Sequence, residues 1–314
     1  MSRVPNDEAV QLTNDDATEC KQSAVQLGYW QDPYLFHFVR GAQRKPPEIN
    51  RGYFARKRGI EILVEKFLKL TDSNCQIVNL GAGFDTLFWR LHDDGKSVTK
   101  IIDVDFPSVT ARKCHVIKRN KALLDKINGG GNAAFSGATG LHAGNYHIVG
   151  VDLRQRSELI TNLENCGIDF SLPTLFLAEC VLVYIESPLV DEILKWISSN
   201  FDSVAFINYE QINMNDRFGE VMKQNLRLRQ CSLSGVSACQ NLDSQRQRFS
   251  NNDWEGSQAW DMVEVYESIP GAERQRIEKI EFLDEQELLI QLFQHYCICV
   301  GWKGAKLSQV NYDG

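Results

Sequence analysis

Residues Gln76–Thr86 read Gln-Ile-Val-Asn-Leu-Gly-Ala-Gly-Phe-Asp-Thr, and they limit the folds open to this chain more than any other stretch. The apolar run ending at Leu80 predicts a buried strand. Gly81 and Gly83 break it, and Thr86-Leu87-Phe88-Trp89-Arg90-Leu91 then resumes a helical pattern. Strand, glycine turn and helix are the nucleotide-binding opening of a doubly wound α/β domain. Glycine lets the backbone turn sharply and lets a ligand approach where a Cβ would stand. The third glycine of a dinucleotide fingerprint would fall at Thr86 and is absent. On its own, therefore, the turn also fits a purely structural strand-to-helix connection.

The following segments add acids at strand ends. Ser97–Asp105 reads as a second strand, and Asp105 stands where a carboxylate accepts hydrogen bonds from the ribose hydroxyls of an adenosine-containing cofactor. Beside Pro107 it reads equally as a solvated turn acid. A third strand, Tyr146–Leu153, ends in Asp152-Leu153, an acid for the adenine amino group and an apolar side chain for the ring. A fourth, Leu172–Tyr184, carries Glu179 inside an apolar run, where a carboxylate is costly without a partner. Acids at successive strand ends fit S-adenosylmethionine better than NAD.

The rest of the chain fits one α/β domain over residues 19–314, with residues 1–18 as a disordered tail. Cys20–Arg40, aromatic without a clean period, reads as a cover over the cofactor. Ile60, Leu63, Val64, Phe67 and Leu68 recur at helical spacing. Asn128–Asn145, with Gly129-Gly130-Gly131, reads as a long loop. Ser187-Pro188 reads as a helix start, with Ser187 as cap and Pro188 in the first turn. Ser203–Tyr209 is a fifth strand. Alternation of strands and helices gives a mostly parallel sheet with helices on both faces. Residues 212–271 interrupt it as an insertion walling the substrate site, helical at Phe218–Arg229. Ile280–Leu283 then reads as a strand, Asp284–Gln294 as a helix and Tyr296–Trp302 as the last strand.

Composition narrows the function classes. A formal charge of −7 gives no bulk nucleic-acid footprint. Two local basic clusters, Arg51/Arg56/Lys57/Arg58 and Arg227/Arg229, fit a solvated face. The 9 cysteines contain no C-x-x-C pair, so neither a disulfide framework nor a metal site is expected. The polar start has no signal-peptide core, and Pro173–Ile185 is too short to span a bilayer and contains Glu179. Together these features predict a cytoplasmic protein with free thiols and no membrane partner.

Six segments, in one order, carry a family resemblance: Asn50–Arg56, Gln76–Thr86, Val104–Pro107, Ala178–Tyr184, Ile207–Gln211 and Phe282–Glu285. Together they closely resemble the leucine carboxyl methyltransferases, over about Cys20 to Trp302. The resemblance implies a Rossmann-like methyltransferase fold with one late strand antiparallel. It also implies S-adenosylmethionine as cofactor, and as substrate the C-terminal leucine carboxylate of the protein phosphatase 2A catalytic subunit, reached through its tail. By the same resemblance Lys21 and Arg56 approach the carboxylate end of the cofactor amino acid. Gly81, with Gly83 in the same turn, lies against the cofactor, Asp105 holds ribose, Asp152-Leu153 hold adenine, and Glu179 is near the methionine amino group.

The implied chemistry needs no general base. A terminal carboxylate is ionised at neutral pH, so none of the 6 histidines is required. Positioning is expected from Arg56, Tyr184 and Tyr209, with Asn213, Asp216 and Arg217 shaping the pocket. Either tyrosine also fits a core role. Three alternatives stand beside this reading: a related tRNA-base carboxyl methyltransferase, whose relatives carry a long C-terminal repeat region that does not follow here; a phosphatase-binding protein with a vestigial site; and an NAD-dependent oxidoreductase.

Overall fold

The computed structural model describes residues 5–39, 41, 43–128 and 133–313. Its strands are β1 (Gln76–Leu80), β2 (Lys100–Asp105), β3 (Ala134–Ser136), β4 (Gly140–Ala143), β5 (Tyr146–Gly150), β6 (Thr174–Glu179), β7 (Val204–Gln211), β8 (Gly256–Asp261) and β9 (Tyr296–Lys303). They form a 9-stranded sheet in the order β3-β4-β5-β2-β1-β6-β7-β9-β8. The centre, from β5 to β7, is parallel. β9 runs antiparallel to β7, as the resemblance implied.

The helices are α1 (Pro5–Gln26), α2 (Pro47–Leu70), α3 (Leu87–Asp93), α4 (Pro107–Arg119), α5 (Lys121–Asn128), α6 (Arg156–Asn165), α7 (Ser187–Asn200), α8 (Arg217–Leu228), α9 (Leu242–Ser250), α10 (Met262–Ser268), α11 (Gly271–Glu278) and α12 (Gln286–Phe293). Alternate side chains of each central strand enter opposite cores, as the period of two requires. Ile77, Ile101, Leu175 and Ile207 pack with Leu63 and Phe67 of α2 and Ile117 of α4. Val78, Ile102, Phe176 and Phe206 pack with Leu163 of α6 and Ile193 of α7. β1 is buried along its whole length, which is why it reads as a continuous apolar run.

Register builds the site edge. Leu80 lies opposite both Val104 and Ala178, and Glu179 lies opposite Tyr209. The carboxyl ends of β1, β2, β6 and β7 therefore present Gly81, Asp105, Glu179 and Tyr209 along one edge, where ligands bind in sheets of this kind.

The structure corrects several sequence expectations. The expected disordered tail is helical from Pro5, as part of α1. Its inward residues include Thr18, Gln22 and Ser23, so no apolar stripe betrays it. Contacts hold it instead: Asp7 pairs with Arg154, Asp15 with Arg112 and Asp16 with Arg229. The expected loop at Asn128–Asn145 contains β3 and β4, paired antiparallel with each other and with β5; Gly129–Gly131 lie outside the described residues. The insertion over 212–271 supplies β8, an edge strand of the main sheet, so it is not wholly an appendage. Ile280–Leu283 is not a strand. There the buried Glu281 carboxylate accepts hydrogen bonds from Tyr29 Oη, Asn50 Nδ2 and Arg44, and Phe282 points outward. The cap of α7 is Glu186, one residue earlier than expected, with no side-chain cap bond.

Candidate active site

The cavity at the carboxyl edge has a volume of about 590 Å³, within the usual small-molecule range. Gly81, Gly83, Asp105, Asp152, Leu153 and Glu179 all line it, as do Lys21, Arg56 and Tyr184. These sequence-predicted residues come from β-strand ends, α1, α2 and the turn after β6.

The glycine turn needs both glycines. Gly81 has φ +64°, and a Cβ there would lie 2.4 Å from Val181 Cγ2. Gly83 has φ +48°, and its Cβ would lie 2.3 Å from Asn14 Oδ1. Asn14, from α1, accepts a hydrogen bond from the Phe84 N–H at 2.9 Å. The segment expected to be disordered thus sits directly on the turn. Beneath it, Asp85 accepts from the Thr86 and Leu87 N–H groups at the start of α3 and from Asn79 Nδ2. Orphan N–H groups at a helix start favour such an acid.

Asp105 Oδ2 accepts from Gly83 N–H and Oδ1 from Phe106 N–H, each at 2.7 Å. Burial raises its carboxyl to about 6, and these bonds lower it only in part. Each oxygen keeps a lone pair for a further donor. Asp152 is gripped by Arg154, whose guanidinium also holds Asp7 at 2.8–2.9 Å. One arginine thus joins Asp152 to α1.

At the other end, Glu179 gathers two cations. Lys21 Nζ lies 3.0 Å from its carboxylate, and Arg56 Nε donates to the same group. Burial pushes the Glu179 carboxyl up, but Arg56 and Lys21 outweigh it and hold the group below the usual carboxylate range. Arg56 itself is 8% exposed, with Tyr209 and Tyr53 rings 4.5 and 5.3 Å from its guanidinium carbon. The turn is strained at Cys180, a non-glycine residue with φ +57° whose N–H donates to Tyr209 O. Burial pushes the Cys180 thiol up to about 12, so it is no thiolate nucleophile at neutral pH.

Two positioning expectations change. Tyr184 lines the cavity, but Tyr209 does not; it is buried beneath Arg56 and stacks on Tyr296, centroids 5.3 Å apart. Tyr296, which sequence reasoning missed inside an apolar strand, lines the cavity in its place. Asn213, Asp216 and Arg217 are not cavity residues. Asp216 caps α8 through Gly219 N–H and pairs with His295. The next turns of α8 supply Met222, Asn225 and Leu226 instead. The basic cluster at Arg51–Arg58 is no solvated face: Arg51 and Arg56 are buried, Lys57 pairs with Glu61, and Arg58 pairs with Glu273.

The turn bearing Tyr184 is held from below. Glu210 Oε1 accepts from Val183 N–H at 2.7 Å, and its Oε2 lies 2.6 Å from Arg248. Both side chains are almost wholly buried. Among the described residues no histidine lines the cavity, so its chemistry rests on carboxylates, cations and tyrosines.

Sheet order, glycine turn and acidic strand ends define a Rossmann-like S-adenosylmethionine-dependent methyltransferase fold. A Thermobifida fusca protein assigned to the methyltransferases shares it, with TM-score 0.53 and 15% identity over 86% of this chain and 93% of that one. The chain belongs to the leucine carboxyl methyltransferase family, whose model matches residues 9–198, and it is a carboxyl methyltransferase. It is 48% identical over 315 residues to leucine carboxyl methyltransferase 1 of Bos taurus, covering 98% of this chain and 94% of that protein. It is 36% identical over 307 residues to tRNA wybutosine-synthesizing protein 4 of Homo sapiens, covering 96% of this chain but 45% of that protein. Among the described residues no helix is long and apolar enough to cross a membrane.

Proposed function

We propose that the protein transfers a methyl group from S-adenosylmethionine to the C-terminal leucine carboxylate of the protein phosphatase 2A catalytic subunit, forming a methyl ester. The observation that carries this reading is the charge layout of the cavity. It has carboxylates at Asp105 and Asp152 beside a glycine turn, and a cation–anion cluster of Arg56, Lys21 and Glu179 at the end of β6. The first half fits an adenosine. The second fits a zwitterionic amino acid, whose ammonium competes with Lys21 for Glu179 and whose carboxylate faces the cations.

The donor residues fit the cofactor. A Cβ at Gly81 or Gly83 would meet side chains that flank the cavity, and the half-buried Asp105 offers acceptors to hydroxyl groups. When bound, S-adenosylmethionine supplies an electrophilic methyl group on a sulfonium. The protein needs only to hold an ionised carboxylate in line with it and keep water out. That matches a cavity lined by no histidine among the described residues and by a thiol that stays protonated. Tyr184 and Tyr296, whose hydroxyls burial keeps protonated, are donors that replace hydration of the incoming carboxylate without neutralising it. Met222 and Leu226 offer apolar wall to an aliphatic terminal side chain.

The tRNA-modifying reading has weaker support, because identity favours the leucine carboxyl methyltransferases, 48% against 36%. Transfer of labelled methyl from S-adenosylmethionine to purified phosphatase, with and without its terminal residue, tests the proposal. Equal labelling of both would contradict it.

A further inference from the structure

We propose that His142, His147 and Cys166 form a zinc site, on the flank of the sheet away from the cavity. His142 and His147 are register partners across the β4–β5 hairpin, and Cys166 caps the end of α6. Their ligand atoms lie within 4.8 Å of one another, the one such group among the described residues. The two Nδ1 atoms are 3.0 Å apart. Two nitrogens on one tetrahedral zinc, at Zn–N of about 2.0–2.1 Å, stand about 3.3 Å apart. The histidine pair is therefore already close to ligating separation, and the Cys166 Sγ lies within 4.8 Å of it.

The two facing nitrogens can hold one shared proton or one cation between them, and His147 is buried, at 9% exposed. The donor set, two imidazoles and one thiolate, selects a borderline-soft metal over magnesium or calcium. Cys166 is 4% exposed, whereas His142 is only half-buried and gives access from solvent. Burial pushes the Cys166 thiol up to about 11, and the Lys100 ammonium beside it offsets this only in part, so a metal must displace the thiol proton. Such a site would clip the hairpin to α6 and fasten the β3–β4 edge of the sheet, and it takes no part in methyl transfer.

Titration of the full chain with Co²⁺, a spectroscopic stand-in for zinc, tests this. One equivalent should produce a thiolate-to-cobalt charge-transfer band that zinc abolishes. Cys166→Ser should remove the band, and His142→Ala should weaken cobalt binding at least about tenfold. Zinc should raise the Tm of the unaltered protein by a few degrees, but not that of Cys166→Ser. No band in the unaltered protein overturns the proposal. So does an undiminished band in Cys166→Ser, which would place the metal on other cysteines.

Discussion

Arg56 holds Glu179 twice: its Nε donates to the carboxylate, and an Nη donates to the backbone carbonyl of the same residue at 3.3 Å. The guanidinium thus fixes both the charge and the direction of the strand end that faces the cavity. Lysine offers a point charge and cannot make this pair of bonds. Arg56→Lys should therefore lower kcat/KM for methyl transfer by at least roughly tenfold, the cost of losing a charged hydrogen bond. Near-normal turnover in a folded Arg56→Lys protein would return Arg56 to a surface-charge role.

The proposed ribose role of Asp105 predicts a pH dependence of cofactor binding. Burial raises its carboxyl to about 6. In that role the ionised form accepts from the ribose hydroxyls, so the binding contribution is full above that value and is lost as pH falls through it. At pH 5 about a tenth of the group is ionised, so affinity for S-adenosylmethionine should drop roughly tenfold from its value at pH 8. Asp105→Asn should bind weakly at both pH values and flatten the profile. Calorimetry across that range reads both; a flat profile in the unaltered protein would remove Asp105 from the ribose site.

Gly83 carries two demands at once, a φ of +48° and a Cβ position 2.3 Å from Asn14 Oδ1. Gly83→Ala should cost about 1–2 kcal/mol from the backbone alone, and the clash should displace α1 from the turn. Adding Asn14→Ala should relieve the clash and leave the backbone cost. Denaturant midpoints of the single and double variants measure this. Additive losses would show that the two residues do not meet.

The Glu210–Arg248 pair is buried beneath the Tyr184 turn. Glu210→Gln leaves an arginine without its counter-charge, which typically costs about 3–5 kcal/mol. The urea midpoint should fall accordingly, and an unchanged midpoint would mean that water or another group compensates Arg248.

The parts of the fold legible in the sequence are those where side-chain pattern and burial coincide. β1, β2 and β6 are buried runs ending in a glycine turn or an acid; that pattern picks out Gly81, Asp105 and Glu179, the family resemblance assigns them to a cofactor, and all three line the cavity. What stays hidden depends on contacts distant in sequence. α1 has a polar inward face and is held by arginines at 112, 154 and 229, so no local period announces it. β8 gives little sign of itself in Gly-Ser-Gln-Ala-Trp-Asp, because an edge strand is only half-covered. The choice between Tyr209 and Tyr296 turns on which of two stacked rings faces outward, a matter of β7–β9 pairing. His142 and His147 face one another only because a hairpin forms where glycines suggested a loop.

The central claim is that the reacting group is a free C-terminal leucine carboxylate. An acidic terminal side chain would bring a second charge into a partly apolar pocket without a partner. Deleting the terminal residue moves the carboxylate out of line, and amidation removes the nucleophile altogether. The most direct measurement uses labelled S-adenosylmethionine with phosphatase catalytic subunit bearing its native or an amidated C-terminus, followed by mild base. The account predicts label on the native protein alone, released by base as an ester is. Equal labelling of the amidated protein, or a methyl group stable to base, would contradict it.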